Sequence, residues 1–422
     1  MTKYFTLLAL ALALVMAPAD ALAEDENYEL NWFLLVNYAG RIGDLSTGFG
    51  DGSDYVLGEE RLRLDLSAWA DSIEAEARLR LDFYHDALTG EFDIDLREAY
   101  IDYTANAFDF RVGRQVITWG VGDLIFINDV WPKDWVSFFT GRPLGYLKLG
   151  IDGARIRYSG DALSAEFVYV PTFEPDNLPG ADRFSYFDPF VNVPNRIEQK
   201  PERTFENSEL AVRIYGNLAD FDVSGYLYKG FWHSPGVTLN NPFMPTTATM
   251  FYPELNVYGA SAQGAAVGGI LSLEAGYYDS PEDREGLDPT IPNSQFRWLV
   301  GYSRQLMEDF TLGVQYYQER IVDHGAYLST LPPGFPAARD YRDVVTISLD
   351  RWLSRQTWRI FFFAYFSPND NDYYLLPSIT HKFSDKLALT AGANIFGGEE
   401  DYTFFGQFDE NDNVYLSLRF DF

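Results

Sequence analysis

The sequence predicts an all-β chain, a transmembrane antiparallel up-and-down β-barrel of about eighteen strands. Apolar residues recur at every second position over stretches of ten to fourteen residues, each ended by a turn. The connections alternate between short and long. Aromatic residues reach 17%, yet 22% of the chain is charged. Alternate residues facing lipid and water produce that combination. Sixteen strands is the other count that the turn spacing allows.

The N-terminus comes first in order. Met1-Thr2-Lys3 places one positive charge ahead of an apolar run from Tyr4 to Ala17, broken by Pro18. Ala21-Leu22-Ala23 then offers a small-x-small cleavage site, so residues 1–23 read as a secretory signal peptide. The run is too short for a membrane-spanning helix. Residues 24–422 are expected to form one barrel domain, without a plug domain ahead of the first strand. The absence of Cys excludes disulfides, lipid attachment at Cys and thiolate metal sites. With 32 basic against 62 acidic residues, a net charge of −30 argues against a nucleic-acid partner.

The first clear hairpin is RLRLDLSAWA-DS-IEAEARLRLDFY. Leu62, Leu64, Leu66, Leu79 and Leu81 share one face, and Arg61, Arg63, Asp65, Arg78, Arg80 and Asp82 share the other. A two-residue turn at Asp71-Ser72 would place Arg61 opposite Asp82 and Asp65 opposite Arg78. Further strands are expected near Glu29, Asp93, Phe108, Tyr146, Ala162, Ser208, Phe221 and Glu254. The remainder are expected near Ile270, Gln295, Phe310, Asp343, Thr357, Tyr373, Lys386 and Asn413. Short turns on one side and long loops on the other mark an outer-membrane barrel. Trp119 and Trp232 fall at long-loop ends, and Trp69, Trp352 and Trp358 at short-turn ends, as two interfacial girdles would require, with Trp69 on the wet face by parity and so a marker of depth only. The last strand, NVYLSLRFDF, should close the barrel on the first, with Phe420 and Phe422 as its membrane-insertion signal.

No motif for catalysis, a cofactor or a metal stands out. Four His residues (His85, His233, His324 and His381) read as solvated groups at strand ends and loops. The inward positions instead carry Arg61, Arg63, Arg78, Arg80, Arg97, Arg111, Arg155 and Arg157, interleaved with Asp65, Asp82 and other acids. Two readings stand: a neutralised ladder that stiffens the wet wall, or a basic track that guides a polar, anionic solute. Residues 120–145 are too apolar for a free loop. They are expected to fold into the barrel, presenting Asp123, Asp129, Lys133, Asp134 and Arg142. The segment from Pro171 to Asn207 holds six prolines and would cap the mouth or form an apolar entry surface. A loop of six acids and no base, Gly397 to Asp412, reads as a solvated face or a site for divalent ions shared with lipopolysaccharide.

The stretch LREAYIDY…FDFRVGRQVITWGVGDLIFINDVWPKDW, Leu96 to Trp135, resembles a group of outer-membrane porin-like barrels related to the alginate-export family. The matching positions are Arg97, Glu98, Tyr100, Arg111, Gly113, Arg114, Gln115, Trp119, Gly120, Asp123, Asp129, Pro132 and Asp134. The resemblance implies a passive conduit rather than an enzyme, in the bacterial outer membrane, without a cofactor. Its cargo would be a small solute or a polyanion. Its partners would be membrane lipid, lipopolysaccharide and the barrel-assembly machinery, which reads a terminal aromatic residue. A transporter of hydrophobic compounds and a barrel sheathing an exported partner are the rival readings.

Overall fold

The structure, a computed structural model, describes residues 27–42, 54–70 and 74–422. The expected leader and the turn at Asp71-Ser72 lie outside the described residues. The first strands are β1 (Tyr28–Arg41), β2 (Tyr55–Ala70), β3 (Ala75–Asp86), β4 (Glu91–Ala105), β5 (Phe108–Gln115), β6 (Ile151–Tyr158) and β7 (Leu163–Val170). After β8 (Asn195–Gln199) follow β9 (Glu209–Leu218), β10 (Phe221–Phe231), β11 (Gly236–Leu239), β12 (Thr247–Phe251), β13 (Glu254–Ala266) and β14 (Gly269–Asp279). The chain continues with β15 (Gln295–Met307), β16 (Phe310–Ile321), β17 (Tyr341–Leu353), β18 (Trp358–Ser367), β19 (Asp372–Lys382), β20 (Leu387–Gly398) and β21 (Asn413–Asp421).

Eighteen of these make one antiparallel sheet in which sequence neighbours pair, and β1 pairs with β21 to close it. The other three, β8, β11 and β12, form a small sheet of their own from the long loops that follow β7 and β10. Closure answers a physical demand: in hydrocarbon an unpaired strand edge is too costly to persist. Alternation supplies the two faces. In β1, Phe33, Leu35, Asn37 and Ala39 are buried inside, whereas Leu30, Trp32 and Leu34 are exposed outside. In β21, Val414, Leu416, Leu418 and Phe420 face outward, and Asn413 and Ser417 are buried inside.

One register differs from the sequence expectation. Arg63 pairs with Asp82, and Asp65 with Arg80, two positions from the expected partners. Ala70 pairs with Ala75, so the connection takes four residues, 71–74, instead of two. Glu74 belongs to that turn, with a left-handed backbone (φ 49°). A shift of two preserves the faces, and the expected partners still meet on the diagonal: Arg61 bonds Asp82 at 2.8 Å and Arg78 bonds Asp65 at 2.9 Å. Between β3 and β4 lies a β-bulge, where Arg80 pairs with Glu98 but Leu81 pairs with Leu96. Arg97 is the extra residue, which lets Asp95, Arg97 and then Glu98 all serve the inner face.

The tryptophan girdle needs correction on the long-loop side. Trp119 and Trp232 are buried, their indole N–H groups donating to Glu166 (2.7 Å) and Ser280 (3.0 Å). Depth along a strand was legible in the sequence, but face decided their role. Trp32 and Trp358 are among the exposed outer residues, and Trp32 stacks on Phe422 with centroids 3.7 Å apart and rings 7° from parallel. The Phe422 amide donates to the Trp32 carbonyl, and Phe420 meets Phe422 edge-on at 4.6 Å.

An aromatic pair of this kind is worth about 0.5–1.5 kcal/mol beyond its buried area. Deleting Phe422 removes the ring stack and one closing hydrogen bond. The folded, heat-modifiable fraction on unboiled gels should fall well below wild type. An unchanged fraction would separate the ring stack from closure.

Candidate functional site

The segment between β5 and β6, residues 116–150, meets the inner wall around most of its circumference. It leaves beside β5 as Trp119 packs edge-on against Trp131 (5.3 Å) and tilted against Tyr226 of β10 (5.7 Å). Glu274 of β14 then receives it: its carboxylate accepts from the amides of Val121 (2.8 Å), Gly122 (2.9 Å) and Asn128 (2.8 Å), and from the Asn128 side chain (3.0 Å). Gln315 of β16 exchanges two hydrogen bonds with the Asp123 backbone, at 2.7 and 2.8 Å. Tyr365 of β18 donates to the Leu124 carbonyl (2.7 Å), and Tyr278 of β14 donates to that of Ile127. Strand β18 lies across the barrel from β5, so the segment spans the lumen.

A short helix, Trp135–Phe139, follows. Asp134 caps it by accepting from the Ser137 amide (2.9 Å). Phe138 and Phe139 pack edge-on against Tyr374 of β19, and Phe139 also against Phe396 of β20. Tyr374 donates to the Phe138 carbonyl (2.9 Å), and Asn413 of β21 to that of Phe139 (3.4 Å). The return limb ends on the charged wall. Arg142 bonds Glu59 of β2 (2.7 Å), and the ring of Tyr146 lies under the guanidinium groups of Arg61, Arg63 and Arg97 at 4.8, 4.8 and 5.1 Å.

Of the five loop residues expected to meet solutes, only Asp123 is exposed. Asp129, Lys133 and Asp134 are buried, and Arg142 is largely covered. Lys133 reaches Asp129 at 3.0 Å and Lys148 reaches it at 2.5 Å, a buried carboxylate between two ammonium groups. Partial burial pulls the Lys148 ammonium below its ordinary pKa against the opposing pull of Asp129. The polar residues of the segment therefore mostly hold its own shape.

The arginines of β2 to β6 are paired in the same manner. Arg61 and Arg63 share Asp82 at 2.8 and 2.5 Å. Arg78 and Arg80 share Asp65 at 2.9 Å each, and Arg80 also meets Glu98 at 2.7 Å. Arg111 forks onto Asp102 (Nε–Oδ1 2.7 Å). Arg155 and Arg157 approach Glu166 at 4.0 and 3.5 Å. Arg97 differs, spending its Nη2 on the carbonyls of Gly145 (3.0 Å) and Lys148 (2.7 Å).

Of the histidines, His85, His324 and His381 are partly exposed and His233 is buried. His85 bonds Glu60 at 2.8 Å, His324 bonds the Ala338 carbonyl at 2.8 Å, and His381 stacks on Trp358. His233 is buried against Phe173 and bonds the Glu174 carbonyl (2.7 Å), while neighbouring Ser234 turns to Asp176 (3.4 Å). Over the mouth, the loop after β7 crosses to β3, where Arg183 pairs with Asp86, and on to Asn411, which accepts from the Ser185 amide (2.8 Å).

Residues missed from the sequence are the wall's receivers: Glu274, Gln315, Tyr365, Tyr374 and Asn413. One carried a signal. Glu274 is the single charge between Val267 and Asp279, at an inward position of an otherwise apolar strand.

No family model matches the chain, and no curated protein matches it. Solved structures do. OccD3 (OpdP) of Pseudomonas aeruginosa aligns at a TM-score of 0.55 with 11% identity, over 94% of this chain and 91% of that one. This is the fold of porin-like outer-membrane barrels. OccAB3 of Acinetobacter baumannii gives 0.53 with 10% identity over 94% and 100%, and OccK11 (OpdR) of Pseudomonas aeruginosa gives 0.53 with 9% over 94% and 96%. At these identities the likeness is one of fold.

Replacing Glu274 by Ala leaves three segment amides without their acceptor, at about 1–3 kcal/mol for each buried donor left unpaired. Gly259→Ala attacks the same contact from the wall, since a Cβ there would lie 1.6 Å from Asn128 Oδ1. Both variants should raise single-channel conductance and expose residues 120–130 to protease. Unchanged conductance and protection in both would show that the segment is held without Glu274.

Proposed function

We propose that the chain is a bacterial outer-membrane channel for passive passage of a polar, preferentially anionic solute, selected by size and field. The observation that carries the reading is the segment of residues 116–150, tied across an eighteen-stranded lumen by wall side chains. A barrel of this strand number encloses room for water, and an inward segment narrows it without abolishing the charged wall beside it. Asp123 and the partly exposed Arg78, Arg80 and Arg157 are the groups a passing solute would meet. Passage needs no covalent chemistry and no cofactor. The relation to the alginate-export group rests on the motif of residues 96–135 alone, and a polyanion as cargo rests on that relation. A sheath for an exported partner is less well supported, because the chain's own segment takes the space such a partner would need. Lipid and lipopolysaccharide would surround the barrel, and the assembly machinery would read Phe420 and Phe422.

Reversal potentials in planar bilayers test the wall's role. Arg78→Gln with Arg80→Gln leaves Asp65 and Glu98 without their cations. The permeability ratio should move several-fold toward cations, more at low salt than at high. An unchanged ratio would reduce the arginine ladder to scaffolding, and the absence of any conductance from the wild-type chain would overturn the channel reading.

A further inference from the structure

The small sheet built from the long loops has the order β11–β12–β8, so β11 and β8 are its edges. The two edges differ. No residue of β11 is exposed, whereas all five residues of β8, Asn195-Arg196-Ile197-Glu198-Gln199, are exposed. Strand β8 runs parallel to β12, with Ile197 beside Thr249. The Asn195 amide donates to the Thr246 carbonyl (3.2 Å), which fixes the phase of the strand. Successive residues of a strand aim their N–H and C=O groups at opposite edges. Asn195, Ile197 and Gln199 therefore serve β12, and Arg196 and Glu198 aim theirs at the open side.

An open edge is a template for another strand, and the side chains of this one suit a particular partner. Laid antiparallel beside itself about Ile197, the strand sets Arg196 opposite Glu198, Glu198 opposite Arg196 and Asn195 opposite Gln199. Each Arg196–Glu198 pair is then one that exchanges both main-chain hydrogen bonds, because these are the residues with groups on the open side. Both side chains are already held in place on one face. Arg196 Nη2 donates to Asp188 and to the Phe190 carbonyl at 2.6 Å each, and Glu198 Oε1 accepts from Tyr252 at 2.6 Å. Arg196 Nη1 and Glu198 Oε2 have no hydrogen bond among the described residues. Pro194 and Pro201 bracket the strand and keep the edge short.

We infer that β8 is a self-association edge, at which two copies of this chain pair their β8 strands antiparallel about Ile197 and join their loop sheets into one. The pairing goes beyond the channel reading and does not depend on it. Opposite charges face each other across the seam at both Arg196–Glu198 pairs, while a slip of register would set like charges or uncharged groups there. A five-residue edge is small beside the area that a permanent dimer buries, so the association is transient.

The test uses the full chain in detergent micelles, where two copies can take any mutual orientation, and it uses the absence of Cys. Facing residues of a non-hydrogen-bonded antiparallel pair have Cα atoms about 4.5 Å apart, within disulfide reach. Under mild oxidation Ile197→Cys should give several-fold more disulfide dimer on non-reducing gels than Val267→Cys, which lies 89% exposed at a short turn outside the sheet. In the Ile197→Cys chain, Arg196→Glu alone and Glu198→Arg alone each set like charges opposite and should lower the dimer about threefold or more. The two together restore the crossed pairs and should return it to within about twofold of the Ile197→Cys chain. Arg196→Glu loses its bond to Asp188 with or without the second change, so recovery reports pairing between copies. Glu198→Pro removes an N–H from the open side, leaves the β12 side intact and should also lower the dimer. Equal cross-linking at 197 and 267 would overturn the inference. So would a dimer that survives Glu198→Pro and both single charge reversals in chains of normal heat-modifiability.

Discussion

The structure depends on one requirement, that no backbone N–H or C=O be left unpaired in hydrocarbon. It forces the last strand to find the first, with Phe33 of β1 paired to Asp421 and Arg41 to Asn413. Closing at eighteen strands then creates a second problem, because a lumen of this width is more than wall side chains can fill. The inward segment fills part of it, and its irregular backbone needs partners in turn. The wall supplies them. Glu274, Gln315, Tyr365, Tyr374 and Asn413 each bond a main-chain group of the segment. The inner face is thus shaped to hold a backbone as well as to face water.

Much of this was legible in the chain. Period-two alternation located the eighteen strands and their faces, because lipid and lumen demand opposite residue types at adjacent positions. The apolar content of residues 120–145 pointed to burial for the same reason. Turn length was less legible, since Asp71-Ser72 looks like a two-residue turn but the chain uses four residues there. The bulge at Arg97 has no local signature, because the residues on either side still alternate plausibly. Trp119 and Trp232 misled because depth and face are separate coordinates. The receivers were hidden for a further reason: each is a single polar residue on a strand whose partner lies more than a hundred residues away in sequence.

The lumen has two unlike walls. From β2 to β7 it is a lattice of arginines and acids, each cation near a carboxylate or a carbonyl. From β13 to β20 it carries fewer charges and more rings, with Tyr374 stacked on both Tyr365 and Phe396. The stiff-ladder and guiding-track readings of the arginines need not compete. Pairing fixes each guanidinium in place, and the fixed dipoles that result still present a patterned field to whatever moves past them. A solute travelling between the walls would meet oriented charge on one side and polarisable rings on the other.

The inward segment also carries a consequence for how the molecule is made. It leaves the wall after β5, yet four of its anchors are Glu274, Tyr365, Tyr374 and Asn413, and the last of these is separated from Phe139 by 274 residues. Its other contacts lie elsewhere on the wall: Tyr226 of β10, Glu59 of β2, and Arg61 and Arg97 of β2 and β4. The same segment is held by β2 and by β21, so its complete seating requires the closed wall.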